Sequence, residues 1–174
     1  GDIEDLPATG KAIASGRRED LELIKAEGKY REMMHAYLAS TTFADDLIGD
    51  LLDALEESSS ADNTIVVLWS DHGWHFGEKD HLHKMTLWDR ATRVPFIIAM
   101  PEGKNHHKTI DAPVSLIDLF PTLNAICELP AIDALDGRNL RPLLEIPDIE
   151  WDEPVVTTHG HNNHAVRSRH WRYI

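Results

Sequence analysis

Thr64-Ile65-Val66-Val67-Leu68-Trp69-Ser70-Asp71-His72-Gly73 is the stretch that decides the fold. Its first six residues are an apolar, β-branched run without polar alternation, the pattern of a strand buried on both faces in a parallel sheet. Ligands in open α/β sheets bind beyond the carboxyl ends of strands, so Ser70 to Gly73 occupy the position where chemistry is expected. Asp71 offers a hard anionic oxygen and His72 an imidazole nitrogen, both suited to a divalent cation. Gly73 allows a sharp turn or a close backbone approach. On spacing alone, the same residues read equally well as an Asx-type turn with a surface histidine.

Outward from this stretch the elements alternate. Upstream, Glu19 to Glu57 is helical in pattern, with a weak point at Gly28. Met34, Leu38, Thr41, Ala44, Ile48, Leu51 and Leu55 recur at steps of three and four and form one helix face. Asp45, Asp46, Asp50, Asp53 and Glu56 lie off that stripe, as a solvated surface. Residues 1–18, with Pro7, Gly10 and Gly16, read as an irregular lead-in. Ser58 to Asn63 is a turn cluster. Downstream, Pro95 to Met100 reads as a second core strand. Val114 to Cys127 is helical, starting at Ser115 with Asp118 three residues on and interrupted or restarted by Pro121. Val155 to Thr158 and Ala165 to Ile174 read as further strands. The order favours an α/β fold.

Between the two core strands, Trp74 to Val94 is too long and too rich in ionisable groups for a plain connection. It could supply cations and proton donors to an anionic substrate, with an aromatic wall from Trp74. A lysine such as Lys84 beside a bound sulfate or phosphate can stabilise charge developing on its oxygens, although a lone lysine more often serves as a solvated surface group. A zinc site on His81 and His83 has weak support, because an i, i+2 pair lacks a cysteine partner.

Composition narrows the function. Of 174 residues, 17 are basic and 30 acidic, a net of −13, which argues against general nucleic-acid binding. Residues 1–60 hold 14 of the acids against 6 bases, whereas no acid follows Glu153 and Arg167, Arg169 and Arg172 add positive charge. Histidines cluster at 72–83 and again at 159–170, suggesting two loops that meet on one face. No apolar run approaches the roughly 20 residues of a membrane span. The hydrophobic share of 42% excludes a disordered chain, and a single cysteine, Cys127, excludes an internal disulfide framework.

Ser70-Asp71-His72-Gly73-Trp74-His75-Phe76-Gly77-Glu78, then Lys84, then Ala91-Thr92-Arg93-Val94-Pro95-Phe96 resembles the sulfatase family, in particular its iduronate-2-sulfatase-like branch. Tyr37-Leu38-Ala39-Ser40, Phe43-Ala44-Asp45, Asp118-Leu119-Phe120-Pro121-Thr122-Leu123, Asp136-Gly137-Arg138-Asn139-Leu140, Pro142-Leu143-Leu144, His164-Ala165-Val166-Arg167 and Trp171-Arg172-Tyr173 follow in the family's order. The likeness runs from about Lys29 to the end of the chain.

The resemblance implies an alkaline-phosphatase-like α/β sandwich with a mainly parallel central sheet flanked by helices. Residues 1–174 would be the carboxyl-side part of such a catalytic domain: a lead-in at 1–28, an α/β core at 29–150, and the start of carboxyl-terminal strands at 151–174. It implies sulfate-ester hydrolysis, on a sulfated carbohydrate, by a formylglycine nucleophile and a divalent cation, most often Ca2+. Carried over by position, Asp71 and His72 would ligate the metal, and Asp71 would also contact the nucleophile. Lys84 would contact the sulfate and assist the leaving oxygen. Trp74, His75, His81, His164 and Arg167 would line the substrate side. A periplasmic, secreted or lysosomal location is implied as well, with no nucleic acid and no membrane span.

Three departures stand out. Cys127-Glu128-Leu129-Pro130-Ala131 lacks the arginine and the proline spacing of the family's nucleophile motif, so Cys127 reads as structural and the nucleophile is expected outside this chain. The family's early paired aspartates have no counterpart, since Asp45-Asp46 lies on the long helix. His72 stands where many sulfatases carry Asn, and imidazole suits zinc better than calcium, which leaves the metal's identity open. Two other readings remain: a phosphoester or phosphonate hydrolase of the same superfamily, and a non-catalytic metal- or glycan-binding module.

Overall fold

The computed structural model describes residues 3–4, 6–15, 18–101 and 107–174. It divides into two units, Gly1–Pro101 and Glu102–Ile174.

The first unit opens with three helices, α1 (Ala8–Ser15), α2 (Arg18–Ala26) and α3 (Tyr30–Glu56). The first replaces much of the irregular lead-in expected for residues 1–18; the parts of that segment at 1–2, 5 and 16–17 lie outside the described residues. Three alanines within eight residues outweigh Gly10, whose cost inside a helix is about 1 kcal/mol. The weak point at Gly28 is a full helix end. Gly28 adopts φ +66°, its N–H donates to Lys25 O at 3.0 Å, and Lys29 N–H donates to Ile24 O at 2.9 Å. That double closure is a Schellman motif, which needs a left-handed residue where only glycine is unstrained.

None of the 27 residues of α3 is buried. Leu38 and Leu51, read as members of a core-facing stripe, are 57% and 69% exposed. Periodicity reports that a helix has an apolar face, not that a partner for that face lies within the same described residues. The start of α3 is anchored: Tyr30 Oη donates to the Phe76 carbonyl, and the Tyr37 and Phe76 rings meet edge to face at 4.4 Å.

Strands β1 (Val66–Trp69) and β4 (Phe96–Ala99) form where the two apolar runs predict them. They pair antiparallel, with Val66 opposite Ala99 and Trp69 opposite Phe96. The mainly parallel central sheet expected for the fold is not seen among the described residues, whose strands all pair antiparallel. A parallel pair needs a crossover of a dozen or more residues, usually through a helix that returns the chain to the same end. Here the connection holds a small hairpin, β2 (His75–Phe76) with β3 (Leu82–His83), a 3-10 turn at Glu78–Asp80 between them, and the one-turn helix α4 (Asp89–Thr92). Burial on both faces is not met among the described residues either, since Trp69 and Ile97 are 48% and 54% exposed.

The second unit contains α5 (Leu119–Ile126), α6 (Arg141–Glu145) and an antiparallel meander of β5 (Val155–Thr158), β6 (His164–Arg167) and β7 (Arg172–Tyr173). A 3-10 turn, Leu116–Asp118, leads into α5. Pro121 falls in the first turn of α5, where its missing N–H is not needed.

Asp118 and Thr122 tie this unit together. Asp118 is 2% exposed; its Oδ2 accepts from Ser115 N–H and its Oδ1 from Arg138 N–H, each at 2.8 Å. Thr122, fully buried, donates its hydroxyl to Asp118 O at 2.6 Å and accepts from Leu140 N–H at 2.9 Å. Gly137 lies against Ile117, whose carbonyl oxygen would stand 2.1 Å from any Cβ placed there. Thr122→Val therefore leaves the buried Leu140 N–H without its acceptor, and urea unfolding should show a loss of about 1–3 kcal/mol. Gly137→Ala should cost more, because backbone must move to admit the methyl group.

Candidate active site

The site is built by the connection between β1 and β4. Gly73 closes it: its N–H donates to Ala91 O at 2.8 Å, and a Cβ would lie 2.0 Å from Arg90 O. No side chain fits between these two backbones. Asp71 and His72 are thereby held at the exit of β1.

His72 Nδ1 lies 2.9 Å from the Gly73 carbonyl. A carbonyl only accepts, so Nδ1 carries the proton and Nε2 presents a lone pair. Lys84 Nζ donates to that lone pair at 2.6 Å. Asp71 Oδ2 lies 3.5 Å from the same nitrogen. A carboxylate oxygen and an imidazole lone pair thus converge beside an ammonium. The pair fits two corners of a divalent-cation site in donor type and spacing. Among the described residues, no group of three or more His, Cys, Asp or Glu side chains gathers to complete one.

Trp74 stacks beside His72 with ring centroids 6.1 Å apart. On its other side it meets the His83 ring edge-on at 5.0 Å, and His83 Nε2 pairs with Asp20 Oδ2 at 3.2 Å. Half-buried Trp74 therefore flanks the site as a wall.

His75 and His81 do something other than face a ligand. They are 0% and 1% exposed, with ring centroids 5.2 Å apart, edge to face. His75 Nε2 lies 2.9 Å from Thr86 Oγ1 and its Nδ1 3.3 Å from Glu78 O. His81 Nε2 donates to Lys84 O at 2.8 Å. With His81 turned to Lys84 and His83 to Asp20, the zinc pairing has no geometric support.

Glu78 also braces the hairpin. Its Oε2 accepts from Phe76 N–H at 2.8 Å and its Oε1 pairs with Arg90 Nε at 3.0 Å. Burial works to raise its carboxyl, but the hydrogen bonds from Phe76 and its own N–H, with the Arg90 and His75 charges, leave it below its ordinary range.

His164 and Arg167 belong to the second unit, both exposed on β6. Their odd separation puts them on opposite faces of the strand. His164 Nδ1 lies 2.9 Å from Thr158 Oγ1. The two histidine clusters thus belong to different units. Sequence reading passed over Thr86, whose hydroxyl partners His75; an isolated threonine in a polar loop carries no signal of burial.

Burial, followed by the positive charge of His81, lowers the His75 pKa below its ordinary 6.5. The folded state therefore binds that proton less readily than the unfolded chain, and stability rises with pH through this window. The contribution is complete above 6.5 and is lost as pH falls from there toward the folded value. Urea midpoints at pH 7.5 and pH 5.5 should show a drop on acidification that His75→Gln reduces.

Residues 8–127 match the family model described as Sulfatase. A sulfatase from Formosa agariphila is 37% identical over 99% of this chain and 34% of its own length. An N-acetylglucosamine-6-O-sulfatase from Bacteroides thetaiotaomicron is 32% identical over 79% of this chain and 25% of its own. A solved structure of a protein in complex with its substrate, D-glucosamine-2-N,6-O-disulfate, superposes with a TM-score of 0.76 at 26% identity, covering 83% of this chain and 31% of that one. A phosphonate monoester hydrolase from Silicibacter pomeroyi does so with a TM-score of 0.67 at 33% identity, covering 74% and 26%. The chain spans about a third or less of the length of these relatives. With its motif series, its matched residues and the cluster at Asp71, His72 and Lys84, the chain belongs to the sulfatase family.

Proposed function

We propose that the protein carrying this chain is a sulfate ester hydrolase acting on a sulfated carbohydrate. The convergence of Asp71 Oδ2, His72 Nε2 and Lys84 Nζ carries this reading. Two cation-seeking donors and one ammonium within hydrogen-bonding range form a site for a metal-bound anion. The sugar-active relative and the structure with a disulfated glucosamine support the carbohydrate.

When bound, a divalent cation, calcium in this reading, supplies positive charge to the sulfate oxygens, and a formylglycine on a cysteine outside this chain supplies the nucleophile. Asp71 and His72 would hold the cation, and the His72 Nδ1–H donated to Gly73 O leaves the Nε2 lone pair for that role. Lys84, whose ammonium lies beside His72 Nε2, would donate to a sulfate oxygen and stabilise charge growing toward the leaving oxygen. Trp74 bounds the sugar side. Because they leave opposite faces of β6, either His164 or Arg167, but not both, would serve as a contact for an acidic sugar group. In the full domain, β1 and β4 would join an alkaline-phosphatase-like, mainly parallel sheet whose flanking helices cover their exposed faces. The likeness to the iduronate-2-sulfatase-like branch rests on His72 and the motif order.

The 33% identity to a phosphonate monoester hydrolase favours a second reading, phosphonate or phosphate ester hydrolysis on the same frame. Turnover of an aryl sulfate, a sulfated saccharide and an aryl phosphonate monoester by the purified protein separates the two. The sulfate reading expects both sulfates to be cleaved faster. A preference for the phosphonate would replace it, and metal-dependent glycan binding without turnover would leave a binding module. Lys84→Ala should lower sulfate turnover by about 10²–10³-fold, with thermal stability little changed. An unaltered rate would remove Lys84 from the site.

A further inference from the structure

Lys84 lies between His83 and Met85, whose φ angles of +71° and +68° place two non-glycine residues in the left-handed region. Such backbone persists only where its surroundings hold it. Two buried imidazoles do the holding. His81, 1% exposed, donates from Nε2 to the Lys84 carbonyl at 2.8 Å. His75, 0% exposed, sits 2.9 Å from the hydroxyl of Thr86, two residues beyond Lys84. A polar ring costs stability on burial unless it is hydrogen-bonded, and an aliphatic side chain would fill the same space without that cost. The bond to the Lys84 carbonyl is one that no aliphatic side chain could make at position 81.

We infer that His81 is a positioning residue for Lys84. By fixing the Lys84 carbonyl it holds the turn from which the side chain reaches out to within 2.6 Å of His72 Nε2. His81 therefore acts through Lys84 and makes no contact with substrate. The catalytic consequence rests on the sulfate reading above; the positioning itself does not.

Two variants in the protein carrying this chain test it. His81→Phe keeps an aromatic ring and removes the donor, whereas His81→Gln keeps a donor of similar reach. Aryl-sulfate kinetics is one readout. The other is competitive acetylation of the Lys84 amine against exposed Lys108, followed by mass spectrometry. His81→Phe should lower kcat by about tenfold with KM unchanged and make Lys84 acetylate several-fold faster relative to Lys108. His81→Gln should restore both. In a Lys84→Ala background, His81→Phe should change kcat no further, because coupled residues are not additive.

Unchanged acetylation of Lys84 in a folded Phe variant, equal losses in Phe and Gln, or additive losses with Lys84→Ala would overturn the inference. Should the Phe variant fail to fold, His81→Gln and His81→Met, alike in length and different in the donor, make the same comparison. A wild-type protein with no sulfate turnover would sink the functional reading, while the acetylation pattern would still decide the role of His81.

Discussion

The contact between Gly73 and the backbone of Arg90 and Ala91 governs the candidate site, because it brings the two ends of a long polar connection together. A Cβ at position 73 would stand 2.0 Å from Arg90 O, so only glycine permits the approach, and the Gly73 N–H to Ala91 O bond seals it. With the ends joined, β1 and β4 run antiparallel and the chain between them folds back over the exit of β1. That fold-back places Lys84 against His72. Glycine serves here through its missing side chain and not through an unusual φ.

Inside the closed connection, polar groups replace the apolar core that so short a segment cannot build. His75, His81, Thr86 and Glu78 each find a partner within the connection itself, consistent with the rule that buried polar groups must be hydrogen-bonded. Leu82, Leu87 and Ala91 supply its few buried apolar side chains. The outer groups, Asp71, His72, Lys84 and Trp74, make their contacts with one another at the exit of β1. The division between inner and outer histidines follows from geometry: Nε2 of His81 points at a carbonyl, while Nε2 of His72 points at an ammonium beside a carboxylate.

Much of this was legible in the sequence, unevenly and for identifiable reasons. The two apolar runs were strands, and Gly28 was visible as a weak point in the helical stretch, because local sterics decide both, though it was not visible as the helix end that it is. The antiparallel pairing was not legible, since it depends on how the intervening connection turns, and apolar runs look alike in either direction. The helix at Ala8–Ser15 was missed because Pro7 and Gly10 are strong breakers when read one at a time. At the site, Asp71 and His72 were legible from their place at the carboxyl end of an apolar run and from their donor types, whereas Lys84 stood out from other surface lysines only through the order of motifs over the chain. His75 and His81 were expected on the substrate side because histidine-rich loops are ordinarily wet. Their burial depends on Thr86, Glu78 and the Lys84 carbonyl, none of which announces itself as a partner. The apolar stripe of α3 was also visible, yet nothing in periodicity says whether its cover lies nearby in the chain.

The central claim is that Asp71, His72 and Lys84 form one site for a cation and the anion it binds. A crystal structure of the protein carrying this chain, grown with calcium and a sulfated saccharide and read by anomalous scattering, tests it most directly. The account predicts a cation about 2.3–2.6 Å from an Asp71 carboxylate oxygen, with His72 Nε2 turned toward it and Lys84 Nζ hydrogen-bonded to a sulfate oxygen. A cation and sulfate bound elsewhere, with Lys84 still on His72 and Asp71 facing solvent, would contradict it.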